Sequence, residues 1–591
     1  MIIEQNLMIP MRDGVKLATD VYRPEGEGRW PVLVVRHPYN KDFRMPLPGW
    51  EDRPIAININ LFAERVVAAG YVIVLQDVRG RYASEGEFQP FLFESSDGVD
   101  TINWASEQPW STGQVGMFGA SFQALAQWQV ASAQPAALRA IAPSQSPHAG
   151  GLYLYQGGAF MLAVALTLVM GSFAPDQLQR RIKDDRARSE DMEMLKQALD
   201  DFPARFEQLP LVEQPAMRDV APYYFDWLAH PDQDDYWRAT LSEEEFERVT
   251  VPALTIAGWY DLFLRNDLRQ YQLMKQRGGS GHARQQQRLI IGPWGHGNFM
   301  WGHAERRYDE DGLAVSEQAV NMLTDVQLRW FDRWLKGLDN GVEREKPVRI
   351  FVMGIDQWRE EDAWPLPDTR YRSYYLHSGG KANSVAGDGV LSATQMAQGE
   401  EDVYRYDPHD PVPTRAATNV ASKQRGDLGP YDQREIEERE DVLCYTAAPL
   451  EHPVEVTGPI ELVLYASSSA RDTDFTGKLV DVYPDGRAEL LADGILRARY
   501  RESFARPALM EPGRVYELHI DLGATSNVFR AGHRIRLEVS SSNFPRYDRN
   551  SNTGGSIAIE QREDFVPAVN CVYHNELYPS HLILPVIERE G

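Results

Sequence analysis

The chain has 591 residues, too many for one hydrophobic core, and a length that corresponds to about three or four domains of ordinary size. Hydrophobic residues make up 43% of the chain and aromatic residues 10%, as expected of a globular protein and not of a disordered one. The net charge of -25 argues against nucleic acid or an anionic membrane surface as a partner.

Cysteine content and hydropathy exclude further classes of protein. Cys444 and Cys571 are too few for a disulfide framework or a metal-ligand set. Residues 1–6 lack the basic and apolar regions of a signal peptide, and the longest apolar stretch, 159–170, is too short to span a membrane. We therefore expect a soluble, cytoplasmic protein.

The first part of the chain alternates between strand and helix patterns. Residues 1–24 predict a β-hairpin with a turn at Asp13-Gly14. Continuous aliphatic runs are typical of parallel strands covered on both faces, and amphipathic segments separate them. The predicted strands are 31–36, 71–75 and 114–118, and the predicted helices are 59–69 and 97–106. This alternation predicts a mostly parallel α/β sheet with right-handed crossovers.

The segment 115–124 predicts a nucleophile elbow, a sharp turn from a strand into a helix with a serine at its tip. Gly119 and Ala120 are small enough for the turn to close, and Ser121 would be lifted clear of the sheet. The amide of Phe122 would lie at the positive end of the helix, where it can donate to an oxyanion. The usual pattern has glycine where this chain has Gln123, and the alternative is that Ser121 only caps the helix.

The sheet continues after the elbow, interrupted by a helical insertion. Strands are predicted at 138–142, 251–257 and 289–291, with a closing helix at 315–338. Residues 144–245 are helical in character and predict a cap over the carboxyl edge of the sheet, where it would shape a substrate pocket. The α/β-hydrolase domain is thus predicted in two parts, 1–143 and 246–344, with the helical cap at 144–245 between them.

The sequence pattern changes after residue 345. Short alternating segments, of which 349–353 is the first, are separated by Gly, Pro, Asp and Asn turns. They predict an all-β domain of jelly-roll type over 345–591. Asp472 and Asp474 are interpreted as a solvated turn and not as a calcium site, and no metal or cofactor is implied.

Two stretches at strand ends supply the partners that Ser121 would need. Asp261 follows the 251–257 strand, and His296 follows the 289–291 strand. Loops at the carboxyl ends of parallel strands converge on one crevice, and serine, acid, histidine is the chain order of α/β-hydrolases. Taken alone, Asp261 would be a helix N-cap and His296 a structural histidine. Together with Ser121 they predict a catalytic triad.

Several motifs together resemble the landmarks of the cocaine esterase family, which is related to the X-Pro dipeptidyl-peptidases, the α-amino acid ester hydrolases and the glutaryl acylases. The resemblance spans the chain, because that family has an α/β-hydrolase domain, an inserted helical cap and a C-terminal jelly roll. The matching segments are Met11-Arg12-Asp13-Gly14-Val15, Arg36-His37-Pro38-Tyr39-Asn40-Lys41, Gln76-Asp77-Val78-Arg79-Gly80-Arg81, Gln108-Pro109-Trp110, Gly119-Ala120-Ser121-Phe122, Gly258-Trp259-Tyr260-Asp261 and Gly292-Pro293-Trp294-Gly295-His296.

The resemblance implies roles for individual residues. Ser121 is implied as nucleophile, His296 as general base, Asp261 as the acid that orients it, and the Tyr39 hydroxyl and Phe122 amide as oxyanion donors. Tyr39 also lies just after the 31–36 strand, near where such folds place their second donor. The chain departs from the family pattern at Phe122, where tyrosine is common, and at Ala124, where glycine is common.

The sequence says less about the substrate than about the catalytic residues. Amino-ester hydrolases carry carboxylates just after the catalytic Asp, whereas here Leu262, Phe263 and Leu264 follow, which favours a neutral aromatic or aliphatic acyl group. Arg265 could instead meet a substrate carboxylate, but an exposed helix arginine is the simpler interpretation. The substrate-pocket candidates are Phe263 and, in the cap, Tyr153, Tyr155 and Phe160.

We therefore expect a serine carboxylesterase that acts on a small molecule without a cofactor. A homo-oligomer is one possible state of the protein. An acylase or X-Pro-type peptidase that cleaves amides with the same triad is one alternative. A non-enzymatic binding protein that uses its jelly roll is the other.

Overall fold

The computed structural model describes residues 1–42, 61–147, 154–182, 184–240, 242–296, 314–397, 399–415 and 429–588; within them, it describes only the backbone at 185 and 314–320. In chain order, the strands up to residue 361 are β1 (Ile2–Pro10), β2 (Lys16–Arg23), β3 (Trp30–His37), β4 (Val72–Asp77), β5 (Ser111–Ala120), β6 (Leu138–Ser144), β7 (Tyr155–Gln156), β8 (Ala159–Phe160), β9 (Ala253–Tyr260), β10 (Gln287–Gly295), β11 (Val348–Val352) and β12 (Gln357–Glu361).

All of these strands except the short β7–β8 hairpin belong to one sheet. Over the described residues its order is β1-β2-β4-β3-β5-β6-β9-β10-β11-β12. The strands from β4 to β11 run parallel to their neighbours, and β1, β2 and β12 add antiparallel edges. The predicted mostly parallel sheet and its N-terminal hairpin are therefore confirmed.

Helices cover both faces of this sheet, which explains the continuous aliphatic runs. Side chains alternate along a strand, so in β3 Val32 and Val34 enter the core on one face of the sheet, whereas Leu33 and Val35 enter the core on the other face. The helices are α1 (Ala63–Ala68), α2 (Glu94–Glu107), α3 (Phe122–Ser132), α4 (Leu162–Leu166), α5 (Ala174–Arg181), α6 (Asp185–Asp200), α7 (Phe202–Glu207), α8 (Pro222–Ala229), α9 (Asp235–Arg238), α10 (Leu264–Arg277), α11 (Gly281–Gln285), α12 (Ala314–Lys336) and α13 (Arg434–Glu437).

The segment between β6 and β9 is mainly helical, as expected of a cap. It contains α4 to α9, and a π-helical segment, Thr167–Phe173, joins α4 to α5. The sequence suggested no strands here, but β7 and β8 form a tight hairpin through residues 157–158. Two-residue strands are too short to leave a periodic pattern, which is why this hairpin was missed.

The rest of the chain forms a second sheet. Its strands are β13 (Thr369–His377), β14 (Val390–Ser392), β15 (Asp402–Tyr406), β16 (Leu443–Thr446), β17 (Val454–Ser468), β18 (Asp474–Val482), β19 (Ala488–Arg497), β20 (Tyr516–Phe529), β21 (Arg534–Ser540), β22 (Ala568–Tyr573) and β23 (His581–Ile587). Nearly all pairings among them are antiparallel, and only β14 and β16 pair in parallel. A C-terminal β domain is confirmed, while its jelly-roll connectivity stays a prediction.

Two details of the predicted β domain differ in the structure. The segment predicted as its first strand, 349–353, corresponds to β11, which pairs with β10 of the hydrolase sheet. Strand pattern alone does not say which sheet a strand joins, so the assignment of 349–353 to the second sheet is wrong, and the first strand of that sheet is β13. The predicted domain boundaries, 143/144, 245/246 and 344/345, stay predictions.

Asp472 and Asp474 do not form a solvated turn. Both carboxyl groups are buried, Asp472 pairs with Arg499 at 2.8 Å, and Asp474 pairs with Arg497 at 3.0 Å. Arg497 is the last residue of β19 and Arg499 lies in the turn that follows it, a pairing that chain order does not reveal. Within the described ranges, no helix combines the length and hydrophobicity needed to cross a membrane.

Candidate active site

Ser121 occupies the turn between β5 and α3. Its backbone angles, φ 61° and ψ −124°, lie in a region that side chains other than glycine rarely adopt, as in a strained nucleophile elbow. Its amide donates to the Ser144 carbonyl of β6 at 2.9 Å. Although Ser121 stands at the N-cap position, its side chain makes no capping hydrogen bond to the helix. The capping alternative is therefore wrong, and the hydroxyl is available for other contacts.

Two glutamines hold the elbow from the helix side. The Gln123 side-chain carbonyl accepts from the Ala120 amide at 3.2 Å. Gln127 donates to the Gly119 carbonyl at 3.1 Å and accepts from the Ala142 amide at 3.0 Å, so it ties β5 to β6. Gln123, which replaces the usual glycine, thus contributes a contact that glycine could not make.

Asp261 and His296 meet Ser121 at the carboxyl ends of their strands. His296 Nδ1 lies 2.8 Å from Asp261 Oδ2, and His296 Nε2 lies 3.1 Å from Ser121 Oγ. The other Asp261 oxygen accepts from the Phe263 amide at 2.6 Å. Helix α10 begins at Leu264 with Phe263 as its N-cap, so Asp261 is not that helix's cap. The Asp261 side chain is fully buried and faces the histidine.

Glycines let the two strand ends approach each other. A Cβ atom on Gly258 of β9 would lie 2.3 Å from the Trp294 carbonyl oxygen, and one on Gly292 of β10 would lie 2.5 Å from the Trp294 ring. Contacts this short are not tolerated, so only glycine fits at both positions. The close packing of β9 and β10 brings Asp261 and His296 within hydrogen-bond distance of each other.

Tyr39 and the Phe122 amide both lie beside Ser121. The Tyr39 hydroxyl lies close enough to Ser121 to interact with it, and the Tyr39 ring is stacked on Phe173 with centroids 6.2 Å apart. Desolvation raises the Tyr39 pKa above its usual value of 10.0, while the Ser121 contact and the nearby Arg81 charge lower it by less. Tyr39 is therefore a neutral O–H donor. The Phe122 N–H is the first amide of α3, where a helix has no internal acceptor.

The loop that carries Tyr39 is anchored by residues to which sequence reasoning assigned no role. His37 Nδ1 accepts from the Tyr39 amide at 2.9 Å, and Asp77 accepts from the Lys41 amide at 2.7 Å. The Lys41 ammonium pairs with buried Asp20 at 3.0 Å. Burial raises the pKa of Asp77 from 3.8 to about 7, and the Lys41 contacts lower it by less. The motif 76–81 was the signal that could have found Asp77.

The remaining candidate substrate contacts are placed as follows. The Phe263 ring meets the His296 ring edge-on with centroids 5.1 Å apart, and Leu262 and Leu264 beside it are buried. Tyr155 donates its hydroxyl to the Trp227 carbonyl at 2.9 Å, and Phe160 packs in the cap interior. A substrate role for these residues stays a prediction. Tyr153 lies outside the described residues.

Arg265 is not an exposed helix arginine. Its guanidinium donates to the carbonyls of Asp493 and Asp521 and pairs with the Asp521 carboxylate at 3.3 Å. These partners belong to the β domain, so Arg265 joins α10 to that domain. Two residues later, Asp267 is fully buried and accepts from the Ser146 amide at 2.8 Å. Burial, with a smaller contribution from Asp261, raises the Asp267 pKa well above its usual range.

Comparisons with known proteins place the chain in a family. The family model described as X-Pro dipeptidyl-peptidase (S15 family) matches residues 13–298, and the X-Pro dipeptidyl-peptidase C-terminal non-catalytic domain matches 340–583. The cocaine esterase of Rhodococcus sp. (strain MB1 Bresler) is 43% identical over 591 residues, which cover 99% of each chain.

Two solved structures are similar to this chain over nearly its whole length. An aminopeptidase from the marine sediment archaeon Thaumarchaeota archaeon has a TM-score of 0.82 at 26% identity, over 99% of this chain and 96% of that one. An α-amino acid ester hydrolase has a TM-score of 0.79 at 26% identity, with the same coverage. The chain therefore belongs to the cocaine esterase family of α/β-hydrolases, and it is a serine hydrolase.

Proposed function

We propose that this enzyme hydrolyses carboxylic esters of small molecules through an acyl-enzyme on Ser121. The observation that carries the proposal is the continuous hydrogen-bonded chain from Asp261 through His296 to Ser121. With its proton on Nδ1, the imidazole donates to Asp261 and leaves Nε2 to accept the Ser121 proton. The serine is activated by this arrangement and attacks the ester carbonyl carbon.

The two half-reactions use the same groups in reverse order. As Ser121 attacks, the proton passes to His296 Nε2, and the negative oxygen is held by the Tyr39 O–H and the Phe122 N–H. Collapse of the intermediate expels the alcohol, which takes the proton from His296. Water then gives its proton to His296 and attacks the acyl-enzyme, so the acid is released and Ser121 is restored. Asp261 stabilises the imidazolium in both halves.

Apolar surroundings favour a neutral acyl group. Phe263 packs against His296, and neither Leu262 nor Leu264 offers a charge to a substrate ammonium group. Arg265 is engaged with the β domain, which argues against recognition of a substrate carboxylate by its guanidinium. An aromatic or aliphatic acyl group fits this environment. The names of the cocaine esterase and the α-amino acid ester hydrolase support ester cleavage.

Amide cleavage is the second candidate, because the family model is named for a dipeptidyl-peptidase and one structural relative is an aminopeptidase. A matched pair separates the two: p-nitrophenyl benzoate against N-(4-nitrophenyl)benzamide, with an Xaa-Pro p-nitroanilide as the peptidase probe. We expect kcat/KM for the ester to exceed that for either amide by several orders of magnitude. Comparable or higher values for an amide would contradict ester hydrolysis as the main activity.

Substitutions test the residue assignments. Ser121→Ala is expected to lower kcat by about 10⁶, and His296→Ala by a similar factor, because the two groups act as a unit. If Ser121→Ala kept more than a small fraction of the activity, the nucleophile would be misassigned. We also propose a cytoplasmic location and a homo-oligomeric state, which fractionation and size-exclusion chromatography with light scattering would test.

A further inference from the structure

A buried arginine links the loop that carries Tyr39 to the cap. Arg81, in the loop after β4, is fully buried. Its Nε donates to the Pro38 carbonyl at 2.9 Å, and its two Nη groups donate to the carbonyls of Phe173 and Ser172 at 2.8 Å each. Asp176 of α5 is its counter-ion, with Nη1 and Oδ2 3.2 Å apart. One guanidinium thus connects the hydrolase domain to the end of the cap's π-helical segment.

These contacts constrain two residues that adjoin Tyr39, Pro38 in the chain and Phe173 in space. Pro38 precedes Tyr39 in the chain, so the bond to its carbonyl fixes the start of the Tyr39 backbone. Phe173 stacks on the Tyr39 ring, and the bond to its carbonyl fixes the surface on which that ring rests. The guanidinium carbon itself lies 5.0 Å from the centroid of the Phe173 ring. Arg81 therefore holds the position of the tyrosine from the main chain and from the ring face.

The charge of Arg81 also acts on Tyr39. Desolvation raises the pKa of the Tyr39 hydroxyl, and the Arg81 charge opposes that rise. A nearby cation makes the O–H a better donor to a developing negative oxygen, and the effect is larger in a site that excludes water. Lysine could not replace Arg81, because three carbonyls in different directions match a planar fork and not a point charge.

We propose that Arg81 is a positioning residue for Tyr39 that ties the strength of the oxyanion hole to the docking of the cap's π-helical segment. The proposal rests on the proposed function, in which Tyr39 donates to the oxyanion. It implies that loss of the Arg81 fork weakens transition-state stabilisation through Tyr39, so the loss shows in kcat more than in KM. A structural role alone would lower stability without depending on the Tyr39 hydroxyl.

A double-mutant cycle tests this dependence with Arg81→Lys and Tyr39→Phe, singly and together, in the full-length enzyme. We expect Arg81→Lys to lower kcat about tenfold, with KM changed by less than about threefold, when Tyr39 is present. In the Tyr39→Phe background the same change should cost less than about twofold. Equal fold losses in both backgrounds would overturn the proposal.

Two control variants separate a positioning role of Arg81 from a purely structural one. Arg79→Lys alters a neighbouring buried arginine that pairs with Asp97 at 2.6 Å and with Asp13, so any loss it causes should be equal in both backgrounds. If Arg81→Lys does not fold, Asp176→Asn removes the counter-ion and leaves the three carbonyl acceptors. The change in kcat caused by Asp176→Asn should vanish in the Tyr39→Phe background. The proposal is overturned if Asp176→Asn leaves kcat unchanged when Tyr39 is present, or if it changes kcat equally in both backgrounds. A Tyr39→Phe variant with full activity would instead contradict the proposed function.

Discussion

Removal of the Tyr39 hydroxyl is the substitution whose effect the structure defines most closely. Tyr39→Phe leaves the aromatic ring, which lies between His37 at a centroid distance of 5.7 Å and Phe173 at 6.2 Å. The ring position is thus retained, and only the O–H group beside Ser121 is lost. Any change in rate then reports the hydroxyl and not a rearranged pocket.

The expected loss follows from what remains. The Phe122 amide still donates to the oxyanion, so catalysis is weakened and not abolished. Loss of one such donor typically costs about 10²–10³ in kcat, or about 3–4 kcal/mol of transition-state stabilisation. KM should change by less than about threefold, because the ester carbonyl oxygen carries little charge before attack. Because burial raises the Tyr39 pKa above its usual value of 10.0, the donor is protonated at neutral pH.

Steady-state hydrolysis of p-nitrophenyl benzoate, followed from pH 6 to 10 for both proteins, measures these quantities. Circular dichroism and thermal unfolding establish that the variant is folded. A kcat within threefold of wild type would refute the assignment of Tyr39 as an oxyanion donor. A loss confined to KM would make Tyr39 a ground-state binding residue instead.

Three further predictions concern stability. Because the pKa of Asp77 is raised from 3.8 to about 7, its contribution to the free energy of unfolding is full below about pH 4 and is lost as the pH rises through 7. Measured by urea unfolding, the free energy of unfolding of Asp77→Asn relative to wild type should therefore increase by about 4 kcal/mol from pH 4 to 8. A difference that does not depend on pH would contradict this prediction. Gly258→Ala should lower the free energy of unfolding by at least about 2 kcal/mol and reduce kcat, because its Cβ would lie 2.3 Å from a carbonyl oxygen of β10. Gly171→Ala is the control and should change neither quantity, because a Cβ there would have no atom within 4 Å. Arg265→Ala, which also removes hydrogen bonds to two backbone carbonyls, should cost about 2 kcal/mol in thermal or urea unfolding. Arg269→Ala, whose arginine is more exposed and bonds only to the Glu243 carboxylate, should cost under about 1 kcal/mol; equal costs would argue against an interdomain role for Arg265.

The sequence predicts the central geometry because that geometry is local. Ser121, Asp261 and His296 each directly follow a recognisable strand, and parallel strands bring their carboxyl ends to one edge. Chain order and the turn residues around the elbow were therefore enough to nominate all three. The hydrolase sheet was predictable for the same reason, since its buried strands are continuous aliphatic runs.

What sequence reasoning missed depends on partners that are remote in the chain. Arg265 was expected to be exposed because its acceptors lie on strands more than 200 residues later. Asp472 was expected to be solvated because its partner, Arg499, lies 27 residues later in the turn after β19. Strand β11 has a pattern that suits either sheet. Gln123 was only a departure from the usual motif in the sequence, whereas its side chain supports the elbow.

Covalent labelling of the nucleophile tests the central claim most directly. The folded protein is treated with a fluorophosphonate, its intact mass is measured, and the adduct is located by peptide mapping. We predict a single adduct on Ser121 that is absent in Ser121→Ala and strongly slowed in His296→Ala. No adduct on the folded wild-type protein, or an adduct on another residue, would contradict the assignment of Ser121 as the activated nucleophile.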